Sequence, residues 1–422
     1  MTTPSPLSQP LTLPSGLILP NRLIKAALSE ELGTAPFLPN ARINALYSQW
    51  ALGNWGLILT GCIHVDANHM GSPSAITIDP SLPASTVHEA YAAWATASKG
   101  ESNTPSVVQL NHPGRQSPIS AGKRSLFSKA VAPSAVPMDF GPGIFAKAAT
   151  KLIFGTPRAL TVGEIDDIVK QFAEAARVCA EAGFNGVQIH AAHGYLLAQF
   201  LSGKSNLRQD AYGGTPENRA RVVVEVIRAV KEATKEYGTF CVGIKLNSVD
   251  HQEEEDGFVR QLRMIVDAGV DFVEVSGGSY EDPVMNTGYE GTRSERTAKR
   301  EAFFLEFAGV VRREFPHVPL VVTGGFRTRK GMEEAVERGE CDLVGIGRPA
   351  VLNPLLPKTL VFNKEVGDEE ARLYARRIAT PWYIKLWGVK GVGAGIETVW
   401  YATQMAALAA KVLKDGLKST IA

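Results

Sequence analysis

The sequence predicts an α/β fold, a closed TIM-type (β/α)8 barrel, on three observations. Eight apolar, strand-like segments recur along the 422 residues. Segments with helical spacing separate them, and strict β/α alternation requires parallel strands, eight of which close a barrel. The length suits one such barrel, since α/β barrels use this much chain as a single domain.

The elements follow in order. LTLPSGLILP at 11–20 reads as a short hairpin turning at Pro14-Ser15-Gly16 and plugging the barrel floor. The eight strands are expected at 22–29, 56–61, 106–110, 186–190, 241–246, 271–276, 319–325 and 342–347. Residues 111–160, rich in Pro, Gly and Ser, exceed a plain βα loop, and an active-site lid is the usual reason for one. EIDDIVKQFAEAARVCAEAG and PENRARVVVEVIRAVKEATKEYG have helical spacing, the second opened by Thr215 as N-cap and Pro216 in the first turn. Residues 1–365 are thus expected to form the barrel. Residues 366–422, a helical tail with Trp382, Tyr383, Trp387, Trp400 and Tyr401, are expected to pack on it or on a second subunit as a homo-oligomer contact.

Composition excludes several function classes. With 44 basic and 43 acidic residues, and no like-charge block beyond Glu253 to Asp256, nothing suggests a nucleic-acid or anionic-membrane partner. A small molecule is the default. The opening MTTPSPLSQPLTLPSG lacks a basic start and an apolar core, no run of 18 apolar residues occurs, and STIA is not a peroxisomal address, so a cytoplasmic protein is expected. Cys62, Cys179, Cys241 and Cys341 are isolated in or beside apolar stretches and read as buried thiols rather than zinc or iron–sulfur ligands.

Parity along the strands selects candidate site residues. In HAAHGY at 190–195, His190 shares the inward face of strand four with Gln188, while Val187 and Ile189 face the helices. His193 and Tyr195 follow in the strand exit, so two imidazoles and a phenol can converge on one ligand oxygen and its neighbouring carbon. A metal reading of HxxH lacks a third ligand at suitable spacing. Gln109 ends strand three, and Lys245 and Asn247 point inward on strand five. A buried ammonium at Lys245 needs a partner: an electron-rich ring such as a flavin's N1–C2=O edge, or an acid. Lys25 and Glu274 also have inward parity, and a Lys25–Glu274 pair is the alternative use of that acid. VVTGGFRT and VGIGRPA put Gly324, Gly325 and Gly347 at the ends of strands seven and eight, with Arg348 beside them, a phosphate-binding pattern. GVGAG at 391–395 follows no strand and does not read as a dinucleotide fold.

HAAHGYLLAQFLSGKSNLRQDAYGGTPENRARVVVEVIRAV, with LPNRLIKAALSE before it and TGGFRT and GIGR after it, resembles the Old Yellow Enzyme family of FMN-dependent ene-reductases over residues 8 to 365. The pattern looks closest to its fungal branch, related to bacterial thermophilic-like members. The resemblance implies a TIM barrel with FMN at its mouth, reduced by NADPH or NADH, and hydride transfer from flavin N5 to the β-carbon of an activated alkene. It implies that His190 and His193 bind the carbonyl or nitro oxygen and that Tyr195 protonates the α-carbon. Flavin contacts would fall to Ala27, Leu28, Ser29, Gly61, Gln109, His190 and Lys245, with Gly324, Gly325, Gly347 and Arg348 on the phosphate. Three positions depart from the family: Lys245 stands where Arg is common, Ser29 where Thr or Cys is frequent, and Ala27 where Pro is frequent. In some branches a tail residue of the neighbouring subunit enters the site, for which Arg376, Trp400 and Tyr401 are candidates; Phe140 and Phe145 are candidates for the substrate pocket. A flavin-dependent oxidase or isomerase, and a flavin-free phosphate-sugar lyase using Lys245 as a Schiff base, are the rival readings.

Overall fold

In a computed structural model, residues 4–125, 127–247, 255–276, 308–379, 381 and 392–421 are described. Eight parallel strands form the barrel: β1 Leu23–Lys25, β2 Leu57–His64, β3 Ser106–Asn111, β4 Gly186–Ala191, β5 Cys241–Asn247, β6 Phe272–Ser276, β7 Leu320–Thr323 and β8 Leu343–Ile346. Each pairs with its sequence neighbours, and β1 pairs with both β2 and β8, which closes the sheet. Every expected strand forms. Strands one and seven are shorter than the apolar runs suggested, because 26–29 and 324–325 leave the ladder to shape the mouth.

The helices used below are α1 Ala41–Ala51, α2 Ala84–Lys99, α3 Ile144–Ile153, α4 Val162–Glu181, α5 Leu196–Leu201, α6 Pro216–Thr234, α7 Glu255–Asp267, α8 308–314, α9 Arg329–Glu337, α10 Arg348–Leu352 and α11 Val392–Ile421. Their starts are chemically marked. Thr161 and Glu164 form a reciprocal capping box on α4, and the Thr215 hydroxyl accepts from Asn218 N at the head of α6, ahead of Pro216.

The barrel interior is layered. Ile24, Leu57, Leu59, Val107, Cys241, Phe272, Val321 and Leu343 fill its lower part. The hairpin pairs Leu11–Thr12 with Ile18–Leu19 and turns through Gly16 at φ 87°, and it seals the floor with Leu13, Leu17 and Leu19. Above that apolar plug the inward residues turn polar: Gln109, Gln188, Lys245 and Glu274, all buried.

Lys25 is not among them. Ile24 takes the inward position, so Lys25 points out toward α1, where its ammonium lies 4.1 Å from the Trp50 ring centroid and 5.2 Å from that of Tyr47 and donates to Leu59 O at 3.1 Å. The expected Lys25–Glu274 pair is therefore corrected: Glu274 pairs with Lys245 across adjacent strands, Nζ to Oε1 3.0 Å, in direct register.

The 111–160 segment is more ordered than a loop. It holds a two-stranded parallel pair, Val131–Ala132 with Arg158–Ala159, and helix α3. Phe140 is buried there against Met138, Ala146 and Phe154, whereas Phe145 is largely exposed, so neither lines the mouth as expected. The tail helix α11 packs on α1 and α10 of its own chain and buries Tyr401, Met405 and Ala409. Residues 392–395 of the GVGAG stretch open that helix. Trp382, Tyr383 and Trp387 lie outside the described residues.

Candidate active site

Strand register assembles the site. Gln109 sits beside Gln188, and Lys245 lies between His190 and Glu274. One chain of contacts results: Gln109 Nε2 donates to Gln188 Oε1 at 2.7 Å, Gln188 Nε2 donates to Glu274 Oε2 at 2.6 Å, and Glu274 holds Lys245. The Lys245 ammonium thus reaches the mouth already partnered, as a buried cation requires.

At the exit of β4 the donors order themselves. His190 Nδ1 accepts from Ala192 N at 3.2 Å, so its proton sits on Nε2, which lies 3.3 Å from His193 Nδ1. With Nδ1 accepting, His193 carries its proton on Nε2, 3.1 Å from Ser276 Oγ. Burial, and after it the neighbouring imidazole and the Lys245 cation, push His190 well below the ordinary histidine value; burial and Lys245 do the same to His193. Both rings are neutral N–H donors. His193 has φ 57°, a left-handed backbone that turns the chain back over the strand end. Tyr195 caps α5, and its ring stands edge-on to His190 at 4.8 Å. His190 has no spare lone pair for a metal in this arrangement.

Two cavities open at the mouth. The first is lined by Ala27, Leu28, His193, Lys245, Gly324, Gly347 and Arg348, together with Ser276, Thr323 and Arg327, which sequence parity did not single out. The second holds Ser29, Cys62, His64 and Tyr195, with Glu31 and Ser72. Gln109, His190, Gly61 and Gly325 line neither space. Gly61 is explained by the wall itself: a Cβ there would overlap the Glu30 carboxylate and Leu28 O, and its N–H donates to Glu30 Oε1 at 2.9 Å. Arg376, Trp400 and Tyr401 pack together, with the guanidinium 5.3 Å from the Trp400 ring and Tyr401 Oη donating to Arg376 O, and line neither cavity.

The first cavity suits the phosphate end of a flavin mononucleotide. Gly324 and Gly325 have φ 109° and 89°, so the backbone turns tightly at the end of β7. The Thr323 hydroxyl is buried there without a partner among the described residues. Arg348 adds a cation, with its Nη1 paired to Glu397 of α11. The donor set, one hydroxyl without a partner among the described residues and three cations, Lys245, Arg327 and Arg348, in one groove, fits an anionic phosphate and an electron-accepting ring.

Among the described residues one other cluster has metal-like spacing: Asp66, His69 and His112. His69 Nδ1 lies 2.6 Å from Asp66 Oδ2, and His112 Nε2 lies 3.7 Å from it. His112 Nδ1 accepts from Gly114 N at 3.0 Å, which leaves the proton on Nε2 and removes that atom as a ligand. Burial raises the Asp66 carboxyl, but His112 and His69 together hold it well below the usual range. The cluster reads as a structural contact in which His69 is hydrogen-bonded to Asp66 and His112 lies beside them.

The family model for the NADH:flavin oxidoreductase / NADH oxidase family matches residues 6–365. The chain belongs to that family. It is 49% identical over 406 residues to the NADH-dependent flavin oxidoreductase iliE of Neonectria sp., covering 93% of this chain and 53% of that protein, so it spans about half that relative's length. It is 46% identical to the NADH-dependent flavin oxidoreductase iccE of Talaromyces variabilis, covering 96% of this chain and 98% of that one. Among solved structures, the Old Yellow Enzyme homologue of Zymomonas mobilis superposes with a TM-score of 0.67 at 26% identity, over 84% of this chain and 92% of that one. As a member of the flavin oxidoreductase family with Old Yellow Enzyme architecture, the chain takes FMN with NADH or NADPH as its cofactors. No helix among the described residues is long and apolar enough to cross a membrane.

Proposed function

We propose that the chain is an ene-reductase acting on α,β-unsaturated carbonyls or nitroalkenes. The reading takes residues 1–365 as the flavin barrel, 366–422 as its packed extension and possible homo-oligomer contact, and the protein as cytoplasmic. The observation that carries it is the ordered pair of neutral imidazole donors beside Tyr195, next to the cavity whose lining suits a flavin. FMN, when bound, supplies hydride taken from NADH or NADPH.

The residues of the chain do the rest. A substrate oxygen entering the mouth takes the Nε2–H of His190 from His193 and that of His193 from Ser276, exchanging two neutral hydrogen bonds for two that strengthen as enolate charge grows on that oxygen. The Lys245 cation adds to the same field. Tyr195, in the cavity lined by Ser29 and Cys62, delivers a proton to the α-carbon. Lys245, Ala27 and Leu28 would hold the ring, and Gly324, Gly325, Gly347, Thr323 and Arg348 the phosphate.

The test is the visible spectrum of the purified protein through an anaerobic cycle. NADH or NADPH should bleach a flavin band near ~450 nm, and 2-cyclohexenone should restore it. A band that bleaches and does not return with any activated alkene refutes the ene-reductase reading.

A further inference from the structure

We propose that Glu31 is a specificity-determining residue whose carboxylate receives a hydrogen-bond donor, a hydroxyl, amide N–H or ammonium, carried by the substrate away from its reacting double bond. The inference deepens the reading of the mouth as a substrate site and rests on it.

The placement of Glu31 is built from both sides. Its neighbour Glu30 is fixed in the barrel wall by the Tyr47 hydroxyl and Gly61 N. On the other side Asn40 Nδ2 donates to Leu32 O at 2.9 Å and Gly33 N to Ser74 O at 2.8 Å. Between these anchors Glu31 adopts φ 55°, a left-handed backbone that a glutamate rarely takes. Such a conformation persists only where the surroundings over-determine it, and it occurs preferentially at functional sites.

The carboxylate is half used. Ser72 Oγ accepts from Ser74 N at 3.2 Å, so its own proton is free for Glu31, and it donates to Oε2. Oε1 has no partner among the described residues. Burial, opposed by the Ser72 hydrogen bond and aided by the Glu30 charge, lifts the Glu31 carboxyl above its ordinary value. The carboxylate is thus set at the cavity with Oε2 taken by Ser72 and Oε1 open to an incoming donor. Tyr195 lines that cavity with it, so a ligand within reach of the proposed proton donor is within reach of Glu31. The remaining lining, with Ser29, Cys62 and Ser72, is polar and suits a substrate with a polar arm. Ordinary unsaturated ketones such as 2-cyclohexenone carry no donor for Oε1 and would leave Ser72 as the carboxylate's protein partner.

The test is ligand binding to the flavin-loaded protein, read from the flavin spectrum, with shape-matched phenols: 4-methylphenol against 4-(aminomethyl)phenol, and the 3-substituted pair. A hydrogen bond to a charged group predicts that wild type prefers the aminomethyl member of at least one pair by about tenfold or more. Glu31→Gln should cut that preference by about fivefold while moving the methyl member by less than about twofold. Glu31→Asn, which suits the left-handed backbone better, provides the same comparison if the Gln variant fails to fold. Equal preferences in wild type and variant overturn the inference, as does equal weakening of both members, the signature of a purely structural role. These outcomes leave the phenol-binding role of His190 and His193 intact. Failure of every phenol to bind either protein would instead overturn the site reading, and the inference with it.

Discussion

Replacing Lys245 by Met tests the electrostatic architecture of the mouth most directly. Its ammonium is 3.0 Å from Glu274 Oε1, and the two side chains are 5% and 0% exposed. At an effective dielectric constant of about 20 that separation corresponds to a gross attraction of about 5 kcal/mol. Desolvation offsets much of it in the intact pair. Removing only the lysine strips the partner from a carboxylate that stays buried, held then by Gln188 alone, and should destabilise the flavin-free protein by about 3–5 kcal/mol. Glu274→Gln should cost a similar amount by stranding the ammonium. The double variant leaves neither charge unpaired, so its loss should fall short of the sum of the two by about 2–3 kcal/mol. Guanidinium unfolding followed by tryptophan fluorescence measures the four corners of the cycle. Additivity within about 0.5 kcal/mol would refute the pairing. Lys25→Met combined with Glu274→Gln provides the control: because Lys25 faces α1, that pair should be additive.

Three further outcomes follow from the same geometry. His190→Ala with His193→Ala should weaken phenol binding to the flavin-loaded protein by about tenfold or more, since a phenolate accepts charge-assisted hydrogen bonds, and unchanged titrations would remove the pair from the oxygen site. Tyr195→Phe should leave reduction by NADH or NADPH intact and slow alkene turnover by about 10²-fold or more in stopped-flow measurements; equal slowing of both half-reactions would contradict its role as the acid. Burial pulls the Lys25 ammonium from the ordinary 10.5 down to about 8, with Glu30 opposing. A folded-state value below the unfolded one means that the cost is fully present below pH 8 and is relieved as pH rises to 10.5, so wild type should gain up to about 3 kcal/mol relative to Lys25→Met across that window, and a parallel pair of stability curves would refute it.

Why strand one misled while strands four and five did not is a matter of depth in the barrel. Alternation identifies the inward face only where the two faces differ in polarity. At the height of His190, Lys245 and Glu274 they do differ: the inner face carries the polar groups and the outer face Val187, Ile189, Val242 and Ile244. At the floor they do not, because the hairpin leucines make the interior as apolar as the helix-facing shell. There Ile24 fills the inside, and the one polar residue, Lys25, is carried outside by two aromatic faces and the Leu59 carbonyl that no local pattern announces.

The same reasoning explains which site residues were legible. His190, Lys245 and the glycines at the ends of β7 and β8 sit on or directly after strands, where period and position coincide. Ser276 and Thr323 end β6 and β7 and share the parity of Glu274 and Val321, so the same alternation could have found them, whereas Glu31 and Ser72 owe their roles to where the βα loops turn. Glu31 stands one residue after Glu30 in LSEELG, and nothing in that stretch says that one acid is tied into the wall by Tyr47 while the next is turned by a left-handed backbone into the cavity of Tyr195. Adjacent residues in an extended strand must face opposite ways, but adjacent residues in a strand exit are directed by whatever holds their backbone. In this chain that is Asn40 at Leu32 and Ser74 at Gly33, so the chemistry of the second acid is decided by contacts 9 and 43 residues away from it.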